Sequence, residues 1–338
     1  MQPITRRSTA RRTRAIRALD LFAGVGGSSA GAIAAGVRVV GAIDCSQVAK
    51  DTYKLNYPQV HFLRAKCENV KLGKLKRRVG AIDLIMASPE CTSHTCAKGK
   101  ARRSEASRRT AFQVIRFARA FKPRWVIVEN VVHMRNWKSF PTWLEELENL
   151  GYQVTQQVLN SADHGVPQAR RRLFIMCDRC RVPGTVEPGS IPKKAASSVV
   201  RANAKFRYSL LRTAGRARAT IQRAKRALAV LGTNRAFLLV YYGSDAAGGW
   251  QSLSVPLRTL TTLDRFAYVK PSSEGHKMRM LQVPELQRAM GFRASLKFAD
   301  STRRNRVRLL GNAVCPPVMK AVIRSLTRKA TTEPSSSV

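Results

Sequence analysis

The sequence predicts an α/β protein whose chemistry sits at the carboxyl ends of parallel strands. Three observations predict it. Four short apolar runs, Ala18–Phe22, Val37–Ile43, Ala81–Met86 and Trp125–Val128, read as buried strands. Each runs into glycine or a polar residue, and helix-like stretches separate them, the alternation that builds a parallel sheet. The chain has 338 residues, 44% of them apolar, enough for one large domain and a smaller companion around a sizeable core.

Taken in order, Ala18–Phe22 leads into the glycine-rich turn "FAGVGG" (Phe22–Gly27), whose spacing is not the G-x-G-x-x-G of nicotinamide-binding folds. Ser28–Ala35 follows as a small, alanine-rich helix. Val37–Ile43 ends at Asp44, about 20 residues after the first glycine of the turn, a position suited to a ribose hydroxyl pair. Ala81–Met86 leads to Pro89, Glu90 and Cys91, and Trp125–Val128 ends at Glu129 and Asn130. Between them, Ala106–Phe121 sets Phe112, Ile115, Phe117, Ala118 and Phe121 largely on one side of a helix, and Trp143–Leu150 stops before Gly151. In open parallel sheets ligands sit beyond the carboxyl ends of the strands. Four loaded ends together point to an adenosine-bearing cofactor meeting a nucleophile, although each alone reads as a solvated acid, an inert thiol or a plain turn.

The charge is extreme: 61 Lys and Arg against 20 Asp and Glu, net +41. Such a field calls for a polyanionic partner, nucleic acid first and an acidic membrane surface second. No apolar run approaches the ~20 residues of a spanning helix. Residues 1–17 hold six arginines and no acid, with no apolar segment behind them, so they read as a flexible basic arm rather than a secretory signal. Seven scattered cysteines argue for a reducing cytosol and against a disulfide framework. Cys177 and Cys180 form one Cys-x-x-Cys, but a zinc site needs two more ligands and no second pair exists, so no metal is expected.

The stretch "ASPECTSHT" (Ala87–Thr95) sets a carboxylate beside a thiol, which disfavours the thiolate. In extended backbone successive side chains point to opposite faces, so Glu90 can turn away from Cys91. His94 is a candidate base for the thiol and equally an ordinary loop histidine.

These residues resemble a family, the cytosine-C5 DNA methyltransferases, over about residues 18–177 and 257–325. "DLFAGVGG" (Asp20–Gly27) resembles its cofactor loop, "SPEC" (Ser88–Cys91) its Pro-Cys loop and "VENV" (Val128–Val131) its Glu-Asn-Val segment. "DHGVPQARRRLFI" (Asp163–Ile175) carries its Gln-x-Arg-x-Arg motif as Gln168, Arg170 and Arg172. "PLRTLTTLDRF" (Pro256–Phe266), "VPELQRAMGF" (Val283–Phe292) and "GNAVCPPV" (Gly311–Val318) are similar to its later blocks. Departures stand beside these matches. Glu90 and Thr92 flank the cysteine where the family has Pro-Pro-Cys-Gln. Ser28 replaces a bulky residue and Cys315 interrupts Val-Pro-Pro. Lys66 and Cys67 occupy "AKCENV" (Ala65–Val70), where an acid usually reads the adenine.

The resemblance implies a Rossmann-like, S-adenosylmethionine-dependent methyltransferase sheet with a second, smaller target-recognition domain. It implies Cys91 as the nucleophile on C6, Glu129 at N3 and the exocyclic amine, Arg172 holding Glu129 and the base O2, and Arg170 ordering the loop. Arg170 and Arg172 would then favour the Cys91 thiolate despite Glu90. Phe22, Gly24, Gly26, Gly27, Asp44, Cys45, Cys67, Pro89, Asn312 and Val314 are expected at S-adenosyl-L-methionine, and Asn130, Gln168, Arg258 and Thr261 at double-stranded DNA.

The implied organisation is a basic arm (1–17), a catalytic domain (18–180 with 302–328), a target-recognition domain (181–301) and a disordered tail (329–338). Residues 181–255 match none of the family's blocks. They open with a Pro/Gly/Ser-bearing linker, Arg181–Ser198. An amphipathic helix follows in which Leu210, Ala214, Ala217, Ile221, Ala224, Leu228 and Leu231 share a face. The opposite face carries Arg212, Arg216, Arg218, Arg223 and Arg226, a solvated side or a phosphate-tracking one. The expected protein is a monomeric, cytoplasmic, nucleoid-associated modification enzyme of a bacterium or phage, paired with a cognate restriction endonuclease or standing alone. Transfer to RNA and a catalytically dead DNA-binding protein are the alternatives. With about 6–10 phosphate contacts, DNA affinity should drop ~10³–10⁵-fold between 50 and 200 mM salt.

Overall fold

A computed structural model of the chain describes residues 14–89, 105–243 and 248–328. The elements run β1 (Arg17–Leu21), α1 (Gly27–Ala34), β2 (Arg38–Asp44), α2 (Gln47–Asn56), β3 (His61–Arg64), α3 (Leu72–Val79), β4 (Leu84–Ala87), α4 (Glu105–Phe121), β5 (Trp125–Asn130) and α5 (Phe140–Asn149). Then come β6 (Gln153–Asn160), β7 (Gln168–Ala169), β8 (Arg171–Asp178), β9 (Ser209–Leu210), α6 (Arg218–Leu231), β10 (Phe237–Val240), β11 (Trp250–Ser252) and β12 (Leu257–Arg258). The last elements are β13 (Phe266–Lys270), β14 (Lys277–Met280), α7 (Val283–Ala289), α8 (Arg303–Asn312) and α9 (Pro316–Thr327).

One sheet has seven strands in the order β3-β2-β1-β4-β5-β8-β6, and a second has five in the order β11-β10-β13-β14-β9. The first five strands of the large sheet are parallel, with Leu21 opposite Ile43 and Ala87, and Ala87 opposite Val128. Their carboxyl ends therefore share one edge. The expectation of a parallel sheet needs correction at its far side, where β8 is antiparallel to both β5 and β6. The reason is the connection: β6 turns back through Ser161–Gly165 into β7 and β8 with no crossover helix, and so short a return gives an antiparallel pair.

The alternating side chains of β4 show how the layers form. Leu84 and Met86 face a cluster with α1, α9 and the inner face of the second sheet, while Ile85 and Ala87 face α4 and α5. The α1–α9 contact depends on glycine. A Cβ at Gly27 would come within 2.2 Å of Val314 O, and one at Gly31 within 2.7 Å of Pro316 O and of Met319 Cβ.

The second sheet is two-sided. Phe237 and Leu239 of β10 pack under Ala224 and Ala227 of α6, whereas Leu238 and Val240 join the core that reaches Ala18 and Leu326. Packing is thus continuous across the expected domain boundaries at 181 and 301, and β12 pairs in parallel with β7 across the first of them. Two readings are corrected here. The helix expected from Leu210 starts only at Arg218, because Gly215 turns the chain at φ +75° and Ser209–Leu210 pairs with β14. Arg181–Ser198 is not a free linker: Gln157 donates to Val186 O (3.0 Å) and accepts from Val186 N (2.8 Å), laying the segment along β6. At the amino end, Arg17 opens β1 and Arg14 meets Asp83 at 3.4 Å, so these two residues of the expected basic arm belong to the folded structure.

One buried ion pair holds the second sheet to α7. Arg279 of β14 makes a two-pronged contact with Glu285, both bonds 2.7 Å, with Phe206, Tyr208 and Tyr268 around the guanidinium. Glu285 also accepts from the backbone of Arg201 (2.7 Å) and Gln282 (2.6 Å). Removing one partner leaves an uncompensated buried charge. Arg279→Ala is therefore expected to lose about 3–5 kcal/mol in urea unfolding, while Arg279→Met/Glu285→Leu recovers most of it. A single variant as stable as the parent would contradict this.

Candidate active site

The shared edge of β1, β2, β4 and β5 is where the site forms. Beyond β1 the chain turns sharply: Phe22 takes φ +60°, rare for a residue with a side chain, Gly24 takes +52° and Gly26 +87°. A Cβ at Gly26 would strike the Tyr57 ring at 2.5 Å, whereas one at Gly24 would enter open space. The loop is thus closely packed at Gly26 and open at Gly24. It is pinned by Ala23 N to Ile43 O (3.0 Å) and Gly24 N to Asp44 Oδ2 (2.9 Å). Asp44 Oδ1 takes Ser46 N at 2.8 Å, and the Cys45 backbone also hydrogen-bonds the carboxylate. Burial raises the Asp44 pKa, and these bonds and Arg308 hold it back.

Cys45 is exposed beside Asp44. Cys67 is buried against the backbone of Phe22, its thiol pushed up to about 12 by burial and by Asp44 and Glu68. It supports the loop from below, and no acid takes its place. Asn312 is exposed at the end of α8. Val314 is buried, with its carbonyl against Gly27.

Beneath this loop lies a group that sequence reading did not single out. Asp20 is buried, its Oδ2 accepts from Ser29 Oγ (2.6 Å), and Ser29 is 2.6 Å from Tyr53 Oη. The signal was available as an acid inside the apolar strand "RALDL". Burial raises its pKa from 3.8 to about 7, against the lowering effect of the Ser29 hydrogen bonds.

The other half is set by β5 and β8. Because β8 is antiparallel, its first residues lie beside the last of β5, with Asn130 opposite Leu173. Glu129, 6% exposed, meets Arg172 Nε at 3.2 Å, with the Ser88 hydroxyl alongside. Burial raises the Glu129 pKa, while Arg172 and then Arg170 oppose it. Arg170 is buried as a brace, donating to Leu260 O (2.9 Å), Gly311 O (2.9 Å) and Ala313 O (3.2 Å). Cys315 lies buried beside Arg170, Arg172 and Glu129, its thiol raised to about 11 mainly by burial.

Several expected roles change. Asn130 is 2% exposed and cannot present its amide to DNA; Nδ2 donates to Pro89 O (3.3 Å) and Oδ1 accepts from Val131 N (2.8 Å). It clasps buried Pro89, where the chain leaves β4 toward residue 91. Gln168 is fully buried, donating to Ala289 O (2.9 Å) and accepting from Leu260 N (2.7 Å), so it too is a brace rather than a DNA contact. Arg258 and Thr261 are partly exposed; Arg258 sits in β12, and the Thr261 carbonyl passes where a Cβ on Gly311 would be, at 2.2 Å.

The arginines expected on the basic helix face are largely engaged, Arg212 and Arg216 lying ahead of α6. Arg216 donates to Ser209 Oγ (2.8 Å) and Leu210 O (3.0 Å), Arg223 lies over Tyr241, and Arg226 donates to Gly248 O (3.0 Å). Arg212 and Arg218 remain exposed. Cys91, Glu90 and His94 lie outside the described residues. Cys177 is buried and Cys180 exposed, and among the described residues no three His, Cys, Asp or Glu gather as metal ligands. No helix among the described residues is long and apolar enough to cross a membrane.

Comparison with known proteins agrees with this geometry. The family described as C-5 cytosine-specific DNA methylase matches residues 16–328. The Type II methyltransferase M.DdeI of Desulfomicrobium norvegicum is 32% identical over 165 residues, 47% of this chain and 39% of its own length. The human tRNA (cytosine(38)-C(5))-methyltransferase is 26% identical over 165 residues, 48% of this chain and 42% of its own. These matches thus span less than half of either relative. A crystal structure of Spodoptera frugiperda DNMT2 superposes with a TM-score of 0.68 at 17% identity, covering 92% of this chain and 99% of that one.

The buried carboxyl gives a pH test. With a folded pKa near 7 against 3.8, Asp20 takes up a proton on folding, so its contribution to stability falls as pH rises between about 4 and 7 and then levels. Asp20→Asn should gain stability over the parent across that interval and hold the gain above it, read by urea unfolding at several pH values. A difference independent of pH would contradict the assignment.

Proposed function

The chain belongs to the C-5 cytosine-specific DNA methylase family, and on that premise we propose that it transfers a methyl group from S-adenosylmethionine to C5 of a cytosine turned out of duplex DNA. One observation carries the reading: a buried carboxyl of raised pKa, paired with a guanidinium, ends β5 beside the Asn130–Pro89 clasp, two residues before Cys91. A carboxyl buried at this position, its pKa raised by desolvation, is suited to meet N3 of a cytosine while Arg172 holds it in place.

S-adenosylmethionine suits the open space over Gly24, where Asp44 would accept its ribose hydroxyls and Phe22 and Cys45 would lie against it. When bound, its sulfonium supplies an electrophilic methyl group. Gly26, Gly27 and Val314 act by shaping the loop, Cys67 packs against the Phe22 backbone, and Pro89 and Asn312 complete the proposed cofactor set.

The target ring is electron-poor and C5 is a weak nucleophile. Cys91 Sγ, as thiolate, bonds to C6; the C5–C6 π electrons shift toward C5 as Glu129 donates its proton at N3. C5 would bond the methyl carbon as that carbon's bond to the sulfonium sulfur breaks; a base then removes the C5 proton, the C5–C6 double bond re-forms, the C6–S bond breaks to release the Cys91 thiolate, and the N3 proton returns to Glu129. Turning the base out costs a few kcal/mol, which phosphate contacts to the basic surface offset.

On this reading residues 181–301 carry target recognition, with Arg258 and Thr261 near the DNA. The protein acts as a monomer in the cytoplasm at the nucleoid, as a bacterial or phage modification enzyme that pairs with an endonuclease or stands alone. The Type II name of its relative favours modification of DNA. The human relative's name favours a second reading, the same chemistry on transfer RNA. Tritiated methyl incorporation into duplex DNA and into transfer RNA separates the two, and bisulfite sequencing of DNA from expressing cells locates the site. Cys91→Ala should abolish transfer and retain S-adenosylmethionine binding. Glu129→Gln should lower kcat by roughly 10²–10⁴-fold. Full activity in the Cys91→Ala protein would remove the mechanism.

A further inference from the structure

The amino ends of β1, β2 and β3 frame a second basic feature, at the edge of the sheet opposite the candidate active site. A cavity of about 420 Å³ opens there, lined by Arg17, Arg38, Arg78, His61 and Gln59 above an apolar floor, with no acidic side chain in its wall. Parallel pairing brings the cations together: Arg17 opens β1 directly opposite Arg38, which opens β2, and His61 opens β3. Arg17 is a fixed part of the wall, donating to Ala81 O (2.9 Å) and to the Val79 carbonyl at the end of α3. Arg38 and Arg78 are exposed and make no hydrogen bond or ion pair among the described residues. The positive field is felt locally, since Arg78 and Lys54 reinforce burial in pushing His61 toward its neutral form. Arg14, exposed beside this edge, adds a further cation and meets Asp83 at 3.4 Å.

Two guanidiniums with no partner among the described residues, in an open cavity with no acid in its lining, match phosphate oxygens, and a net charge of +41 favours a polyanion over a single small anion. The cavity is on the order of 20 Å from the methylation site, the length of the seven residues of β2 at about 3.3 Å each. We propose that this cavity binds backbone phosphates of a stretch of nucleic acid outside the methylation site, with Arg38 and Arg78 as the contacts. Choosing duplex DNA as the partner rests on the function proposed above.

The test is the salt dependence of affinity of the full chain for a 40-base-pair duplex, compared with Arg38→Gln/Arg78→Gln. Each phosphate contact contributes about 0.9 to the slope of log affinity against log salt. Losing two should flatten the slope by about 1.8, so that the parent loses about tenfold more affinity than the variant between 50 and 200 mM salt. Arg38→Lys/Arg78→Lys should keep the parent slope, and both variants should melt as the parent does and retain kcat on a short duplex. An unchanged slope in the Gln variant overturns the proposal. So does calorimetric binding of inorganic phosphate that the Gln variant loses while its DNA slope is unchanged, which would mark a small-anion site. Absent methyl transfer with a flattened slope would instead overturn the enzymatic reading and leave this one standing.

Discussion

The structure turns on burying a carboxyl at the end of a strand. Glu129 sits almost out of solvent, where an isolated carboxylate is strongly disfavoured, and Arg172 at 3.2 Å is the charge that makes its position tenable. That arginine is 43 residues further along the chain and reaches Glu129 only because β8 runs against β5. A parallel β8 would have placed its far end, around Asp178, beside Glu129 instead. The antiparallel departure from a simple doubly wound sheet is therefore what assembles this half of the site. Desolvation and pairing then pull the Glu129 pKa in opposite directions, desolvation being the larger.

The rest of the site is held by polar groups that never meet solvent. Gln168 of β7 and Arg170, just before β8, reach the backbone of residues 260–313, so that Leu260 is gripped by both. Arg279 and Glu285 do the same between the second sheet and α7. Each satisfies backbone or charged groups that burial would otherwise leave unpaired. Close backbone approach at Gly27, Gly31 and Gly311 completes the clamp by letting α1, α9 and the 261 turn come together without side chains between them.

The surplus positive charge is not uniformly available to a partner. Arg223 and Arg226 secure the turn through Gly248 and Gly249, Arg216 secures β9, and Arg17 closes the end of α3. Guanidiniums spent on carbonyls and rings are anchors, whereas Arg38, Arg78, Arg212 and Arg218 are left in solvent.

By itself, the amino-acid sequence determined the α/β class, the strands that carry the loaded ends and the placement of Phe22–Gly27, Asp44 and Glu129 at those ends. Each follows from local hydrophobic patterning and turn chemistry, which neighbouring residues are enough to specify. Asp20 was legible too, as an acid in an apolar strand, but its partners Ser29 and Tyr53 were not. Only the tertiary structure decided that β8 reverses, that the helix begins at Arg218 rather than near Leu210, and that Asn130 and Gln168 face inward. Those outcomes depend on which distant backbone carbonyls, amides and charges burial brings within hydrogen-bond reach, and a linear pattern does not encode that distance.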